Sequence, residues 1–375
     1  MKRLLNLLFL FLPFISIAQM TQLKVIVPMQ YDRLSGFSEG LSWACNGGKW
    51  GVINMKNEIV IPFKYDLPGG DCKDGKILIP SESAYYNVSE DKSVTYQGER
   101  ASDFSEGYAV IMIDDDSYMV IDGSGKEVFK YQNQVPVGGF HEGLLSFYDS
   151  NSGLYGYVNI RGEIAVPAQY SNALPFSEGL GAVVNNEGKY GFINKTGAVA
   201  IPCSYDMASS FSDGYAWCEI NGTGNFIDKY GTIQIKNRIM SKFEGGVAIV
   251  KPSSTDPSSY REFGAIIINK SGNAIFATSN YDQTHKFGAE YFVIVSDDTW
   301  SITNNAGDQI TKDISSSEVL FQTVNDSNII IIQNPNNGKI GAVQLIDLNK
   351  SRERLPGESD AHYVGRLAKM GYGLK

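Results

Sequence analysis

The chain is built from short apolar runs that alternate with turn residues, which is the pattern typical of β-strands. Residues 179–202 read GLGAVVNNEGKYGFINKTGAVAIP. Apolar and β-branched residues form runs of strand length there, and glycine, asparagine or proline bounds each run. The pattern therefore predicts three strands and no helix in this stretch.

This arrangement recurs along most of the chain with a period of about 35 residues, which predicts an array of repeat units. Each unit begins with a phrase, here called the anchor, that reads Phe-Ser-Glu-Gly or a variant of it. Anchors stand at 37–40, 72–75, 104–107, 140–143, 176–179, 211–214, 243–245 and 287–290. An all-β array of about eight to nine three-stranded units is therefore expected over residues 19–350.

Two further spacings join the predicted strands. A turn of the form Asn/Asp-x-x-Gly, as in 194–197, separates the second strand from the third, because Asn or Asp bonds its own backbone and glycine supplies positive φ. The third strand carries a proline, as at Pro202, and we expect it to end there because proline cannot donate to a ladder. Tyr205 follows three residues later and Phe211 six further on, and both are expected to pack one unit on the next.

An aromatic residue precedes a glycine in the second strand of four units. Without a side chain, the glycine lets a neighbouring strand or ring approach closely, and the aromatic residue is expected to cover it. We interpret this pair as structural. Its members are Trp50 and Gly51, Tyr155 and Gly156, Tyr190 and Gly191, and Phe263 and Gly264.

These phrases resemble the WG-repeat family of bacterial proteins, whose signature combines the aromatic-glycine strand, the Asn-x-x-Gly turn and an Ile-Pro-x-x-Tyr-Asp junction. The resemblance spans roughly residues 23–347 and is most specific at 49–66, 154–170 and 189–206. It implies a secreted or surface β-repeat protein without assigned chemistry, and it carries no catalytic residues over to this chain.

The two ends of the array complement each other. Residues 23–32, LKVIVPMQYD, read as a third strand and junction, whereas the unit near residues 328–349 has no third strand. An N-terminal strand that completes the last unit would close a propeller-like ring without exposed sheet edges. An open superhelix is the alternative, since about nine units exceed the usual number of blades and 35 residues are few for four strands.

The first 18 residues read as a secretory signal peptide, with basic Lys2 and Arg3, an apolar run and a small residue at Ala18 before the expected cleavage point. The apolar run is shorter than the ~20 residues that a membrane span needs. We therefore expect an exported mature chain without a membrane span, in the periplasm, at the cell surface or outside the cell. Residues 351–375 form a predicted tail.

Cleavage changes the formal charge from −9 to −11, because Lys2 and Arg3 are lost. An acidic chain repels phosphate backbones, so nucleic acid is a poor candidate partner. Four cysteines in an oxidising compartment permit disulfides. Cys203 and Cys218, which flank one unit junction, are the preferred pair, and buried free thiols are the alternative.

Residues for catalysis or metal binding are few. His141, His285 and His362 have no second histidine at ligand spacing, so neither a metal nor another cofactor is expected. The anchor glutamates could be mistaken for the paired carboxylates of a glycosidase. Because they recur once per unit, we interpret them as turn residues that bond local amides.

The leading functional hypothesis is a non-enzymatic scaffold that binds a protein or an envelope partner. The insertion at 251–263, with Tyr260 and Arg261, is the predicted partner-contact loop. Glycan binding on exposed repeat aromatics is the alternative, and a glycoside hydrolase is a remote one. Burial of the repeat aromatics would count against the glycan hypothesis.

Overall fold

In the computed structural model, the described residues are 23–345, with gaps at 116, 237, 239–240, 253–255, 257, 288–289 and 326–328. The predicted signal peptide and the predicted tail lie outside them. Within the described residues the chain forms nine antiparallel sheets, the blades of a β-propeller, and one 3₁₀ turn at Pro80–Glu82. No helix in this part of the chain is long and apolar enough to cross a membrane.

The strands of each blade follow one another in chain order. Blades 1 to 3 contain β2 (Arg33–Leu34), β3 (Leu41–Asn46), β4 (Lys49–Asn54) and β5 (Ile59–Tyr65); β6 (Cys72–Lys73), β7 (Lys76–Ile79), β8 (Ala84–Asn87) and β9 (Lys92–Thr95); and β10 (Arg100–Ala101), β11 (Tyr108–Asp114), β12 (Ser117–Asp122) and β13 (Glu127–Gln132). Blades 4 to 6 contain β14 (Gln134–His141), β15 (Leu144–Asp149), β16 (Leu154–Asn159) and β17 (Ile164–Tyr170); β18 (Asn172–Ser177), β19 (Leu180–Val184), β20 (Tyr190–Asn194) and β21 (Val199–Tyr205); and β22 (Met207–Ala208), β23 (Ala216–Ile220), β24 (Thr223–Ile227) and β25 (Ile233–Ile235). Blades 7 to 9 contain β26 (Val247–Val250), β27 (Ala265–Asn269) and β28 (Ala274–Thr278); β29 (Thr284–Phe287), β30 (Tyr291–Val295), β31 (Thr299–Asn304) and β32 (Ile314–Ser315); and β33 (Leu320–Asn325), β34 (Ile329–Gln333), β35 (Ile340–Leu345) and β1 (Leu23–Tyr31).

Eight of the nine described blades have four strands, where the sequence predicted three. The additional strand comes first in the blade, before the anchor or overlapping its first residues, and in β2, β6, β10 and β22 it is only two residues long. Two residues are too few to show a hydrophobic period, which is why the sequence pattern missed them. Such short strands also explain how a unit of about 35 residues holds four of them.

The ring is closed by the N-terminal strand, as the complementary ends predicted. β1 pairs with β35 from Leu23 opposite Leu345 to Tyr31 opposite Ile340. An ion pair between Asp32 and Lys339 joins the two ends of the array. Closure gives β35 a partner along its free edge, so the open superhelix is not the architecture of this chain.

The core lies between blades and not within them. The anchor phenylalanine of one blade packs edge-on against a ring in the third strand of the preceding blade. Centroid distances in four such pairs are 4.8 to 4.9 Å, a favourable aromatic geometry. The pairs are Tyr85 with Phe104, Tyr157 with Phe176, Phe192 with Phe211, and Phe226 with Phe243.

The aromatic-glycine pair sits opposite a bulge in the fourth strand. In blade 1, Trp50 pairs with Tyr65, but Val52 already pairs with Ile61, so the fourth strand carries two extra residues. A Cβ on Gly51 would lie 2.6 Å from the Ile61 carbonyl oxygen, which only a glycine avoids. The close approach therefore comes from strand backbone, and not from the covering aromatic ring that the sequence suggested.

The same geometry recurs where the phrase recurs. A Cβ on Gly156, Gly191 or Gly341 would lie 2.5 to 2.7 Å from the backbone of the bulged strand. Proline occupies this bulge, and strand pairing resumes after it at the tyrosine, as at Tyr205 opposite Tyr190. The expectation that proline ends the strand is therefore wrong, because a bulge tolerates a residue without an N–H.

The junction tyrosines reach from one blade to the next. Tyr205 is 6% exposed and packs with Phe192 of its own blade and Phe211 of blade 6. Its hydroxyl lies 3.5 Å from the Gly231 carbonyl oxygen, in the turn after the third strand of blade 6. Burial raises the pKa of this tyrosine.

We expect Tyr205→Ala to lower the free energy of unfolding by about 3–5 kcal/mol, because it opens a cavity between blades 5 and 6. Tyr205→Phe keeps the ring and loses one long hydrogen bond, so it should cost about 1 kcal/mol or less. Urea unfolding of both variants and the parent chain measures the difference. Equal effects of the two substitutions would show that the ring does not join the blades.

Candidate functional site

The anchor carboxylates link successive blades. Their hydrogen bonds go to amides of the next blade, and not to the local amides that the sequence had suggested. In blades 1 to 6, the anchor carboxylate accepts hydrogen bonds from one or two backbone N–H groups at the anchor of the following blade. Glu106, for example, accepts from Glu142 at 2.6 Å and from Gly143 at 2.7 Å. We call this contact the anchor clasp. It joins Glu39 to Asp74 and Gly75, Asp74 to Gly107, Glu106 to Glu142 and Gly143, Glu142 to Gly179, Glu178 to Gly214, and Asp213 to Gly246.

The anchor serine adds a second bond in the same direction. Ser105 donates to the Phe140 carbonyl oxygen at 2.6 Å, and Ser177 donates to that of Phe211 at 2.7 Å. Ser38 and Ser212 make the equivalent bond. The serine and the carboxylate of the anchor phrase are thus both used to hold the next blade.

The clasp is made from a strained turn. Glu106 has φ of 53° and Gly107 has φ of 83°, the two positive values of a two-residue type I′ hairpin. A left-handed glutamate costs on the order of 1–3 kcal/mol. Hydrogen bonds from two amides to one carboxylate are charge-assisted and can offset that cost.

Two clasp carboxylates have lowered pKa values. Burial raises the pKa of the Glu39 carboxyl, but hydrogen bonds from Gly75, Asp74 and Cys72 outweigh burial and leave the pKa below its usual 4.5. Burial also opposes ionisation of Glu142, and Lys195 together with the Gly179 amide leaves its pKa lowered. Lys195 contributes an ion pair of 3.1 Å. These groups stay ionised to hold amides, which is not the raised pKa of a general acid.

The preferred disulfide is not formed, because all four cysteines are free thiols. Cys203 packs against the cluster shared by blades 4 and 5, whereas Cys218 lies in the cluster shared by blades 5 and 6. The two thiols therefore belong to different blade interfaces. Burial raises the pKa of the Cys218 thiol to about 12, so it is not a reactive thiolate.

The remaining candidate residues do not gather into a site. His141 is exposed at the end of β14, His285 stacks on Phe321 with ring centroids 5.0 Å apart, and His362 lies outside the described residues. Among the acidic residues, Asp115 lies in the turn that follows β11, and Asp297 and Asp298 lie in the bend between β30 and β31. Across the described part of the chain, no group of three His, Cys, Asp or Glu side chains could hold a metal ion.

The repeat aromatics are only partly available to a ligand. Trp50, Tyr155 and Tyr190 are half-buried, and each packs against a core cluster between blades. Phe263 is 44% exposed and lies in the insertion of blade 7. The aromatics that recur with the repeat therefore do not form a fully exposed row.

The strongest departure from the repeat lies between blades 6 and 7. A cavity of about 550 Å³ opens there between the end of β25, the insertion that joins β26 to β27, and the turn before β28. Tyr260 of the predicted contact loop lines it, while Arg261 donates to the Asp256 carbonyl oxygen at 3.1 Å. The lining residues are Gln234, Ile235, Lys236, Arg238, Asp256, Tyr260, Ser271, Gly272, Asn273 and Ala274.

A buried ion pair fixes this insertion to blade 6. Arg238 and Asp256 form two hydrogen bonds of 2.5 and 2.8 Å, and each side chain is 5% exposed. The Arg238 carbonyl oxygen also accepts the Trp217 indole N–H at 2.9 Å. The pair thus ties the insertion to the strand framework.

Sequence reasoning missed Arg238 and Asp256, although one signal was present. Blade 6 reads IQIKNR where blades 1, 4 and 5 have the Pro-x-x-Tyr junction, and the long insertion follows directly in blade 7. A second cavity, of about 350 Å³, lies at the interface between blades 2 and 3 and is lined in part by Thr95, Tyr96 and Gln97. Blade 2 also lacks the Pro-x-x-Tyr phrase, although Tyr96 is buried at this interface and packs on Tyr85.

The family model of the WG containing repeat matches residues 21–50, 50–67, 155–190 and 190–223. These segments hold the closing strand, blade 1 and most of blades 4 to 6, where the aromatic-glycine and Pro-x-x-Tyr phrases are best preserved. The resemblance found in the sequence is thereby confirmed for these segments, which make up less than half of the chain. No curated protein matches the chain significantly.

Several solved structures are similar at low identity. BamB from Moraxella catarrhalis is 13% identical, with 86% of this chain and 98% of that chain covered and a TM-score of 0.41. A eukaryotic initiation factor is 12% identical over 67% and 78%, with a TM-score of 0.47. AztD from Citrobacter koseri is 14% identical over 84% and 86%, with a TM-score of 0.33. All three TM-scores lie below 0.5, so no inference about this chain rests on these similarities.

Acid should weaken the anchor clasps. Because the pKa of Glu39 and that of Glu142 are lowered by folding, the unfolded chain binds more protons, and stability falls as pH drops below 4.5. We expect Glu142→Gln to reduce the loss of unfolding free energy between pH 7 and about pH 3.5. Urea unfolding at both values measures it. Glu187→Gln, in an exposed turn, is the control, and an unchanged pH dependence in Glu142→Gln would contradict the clasp.

Replacing one member of the buried ion pair should lower the free energy of unfolding more than replacing both members. We expect Asp256→Ala to lower the free energy of unfolding by about 3–5 kcal/mol, because it leaves the Arg238 charge buried. The double variant Arg238→Met with Asp256→Leu should recover most of that loss. Thermal and urea unfolding of the two variants tests this. A double variant as unstable as the single one would show that the charges themselves are needed.

Proposed function

We propose that this chain is an exported, non-enzymatic scaffold that binds a protein or an envelope component through the insertion face of blades 6 and 7. The observation that carries the proposal is the cavity at this face, lined by Tyr260 and fixed by Arg238 and Asp256. Repeat arrays commonly keep their framework constant and vary the loops that contact partners. Here the framework is interrupted by one long insertion that is held in place.

The non-enzymatic part of the proposal rests on how the repeated polar residues are used. The anchor carboxylates of blades 1 to 6 each accept backbone N–H groups of the next blade, so they serve the framework. Export rests on the predicted signal peptide at residues 1–18.

Chemical cross-linking of the purified chain to an envelope extract tests the proposal. We expect the parent chain to capture a partner that the double variant Tyr260→Ala with Arg261→Ala does not. Tyr230→Ala is the matched control, because Tyr230 is 90% exposed in a turn of blade 6 and makes no part of the cavity. Equal capture by all three chains, each with parent-like unfolding, would exclude the insertion face as the binding surface.

A further inference from the structure

We infer that the cavity between blades 6 and 7 binds an acidic saccharide, by its carboxylate and its hydroxyl groups. This inference rests on the proposed binding role of the insertion face and names the chemistry of its ligand. A cavity of about 550 Å³ has the volume of a small-molecule site, and this one is open to solvent and lined by polar and apolar groups alike.

The charge of the lining favours one carboxylate. Asp256 matches the Arg238 charge through a bidentate pair, so Lys236 leaves the lining with a net charge of about +1. Lys236 is exposed and forms no ion pair with a described residue. Whereas the whole chain has a formal charge of −9, the lining residues sum to about +1, and the Asp228 carboxylate that holds Gln234 stands outside that sum.

The polar rim suits hydroxyl groups. The Ser271 hydroxyl and the Asn273 amide line the cavity, and neither side chain forms a hydrogen bond with a described residue. A hydroxyl and an amide both donate and accept, which matches the hydroxyl groups of a saccharide. Gln234 is already bonded to Asp228 at 2.8 Å and frames the rim.

The apolar part of the lining suits a sugar ring. Tyr260 is half-buried and packs against the core cluster between blades 6 and 7, which fixes the position of its ring. Ile235 and Ala274 continue the apolar surface. A fixed aromatic ring beside amide and hydroxyl groups can hold the C–H face of a saccharide while its edge is hydrogen-bonded.

Binding of uronic-acid oligosaccharides and of their carboxyl-reduced, neutral counterparts tests the inference. We expect the full chain to bind the uronates at least about tenfold more tightly than the reduced forms. Lys236→Met should weaken uronate binding about tenfold and leave the reduced forms unchanged, and Tyr260→Ala should weaken both. Tyr230→Ala is the control and should bind as the parent does.

Uronate binding by the parent chain that Lys236→Met weakens about tenfold supports the inference. Equal affinity for the reduced forms, no uronate binding by the parent chain, or an unaffected Lys236→Met variant overturns it. Because Lys236 is exposed, its variant should fold even where Tyr260→Ala does not. If the parent chain binds no uronate while the Tyr260 and Arg261 variant still loses its envelope partner, the scaffold function stands and only this ligand class falls.

Discussion

The whole structure depends on contact between neighbouring blades, because no sheet of about 35 residues can bury both of its faces alone. The repeated residues serve that contact in three ways. The anchor phenylalanine packs on the preceding blade, the anchor carboxylate binds amides of the following blade, and the junction tyrosine fills the remaining space. A nine-bladed ring is stable only if each interface is made, and the last interface is made by β1.

Close approach of backbones explains why glycine and proline sit where they do. The bulged fourth strand comes so near to Gly51 and Gly191 that any Cβ would collide with it. Pro62 and Pro202 lie in the bulge, where no ladder hydrogen bond is required of them. The same fit closes the ring, since Gly341 lies against the bulge of the N-terminal strand.

The proposed function rests on where this framework is relaxed. Blades 2 and 6 are among the five blades without the Pro-x-x-Tyr phrase, and the cavities of about 350 and 550 Å³ lie beside them. The larger cavity lies beside the insertion of blade 7. The buried Arg238–Asp256 pair fixes this loop, which the repeated contacts do not hold. A buried ion pair fixes the position of the loop more than it adds to stability, which suits the binding role proposed for this face.

The sequence by itself determined the all-β class and the period of the units, because both depend on residue types at fixed spacings, and it favoured pairing of the two ends while an open superhelix stayed the alternative. Only the tertiary structure decided the two-residue first strands, the partners of the anchor carboxylates and the free state of Cys203 and Cys218. It also brought Arg238 next to Asp256, where the sequence showed only a lost junction and a long loop. The physical reason is that spacing along the chain specifies local conformation, whereas these contacts join blades, and their partners are set by how the blades pack around the ring.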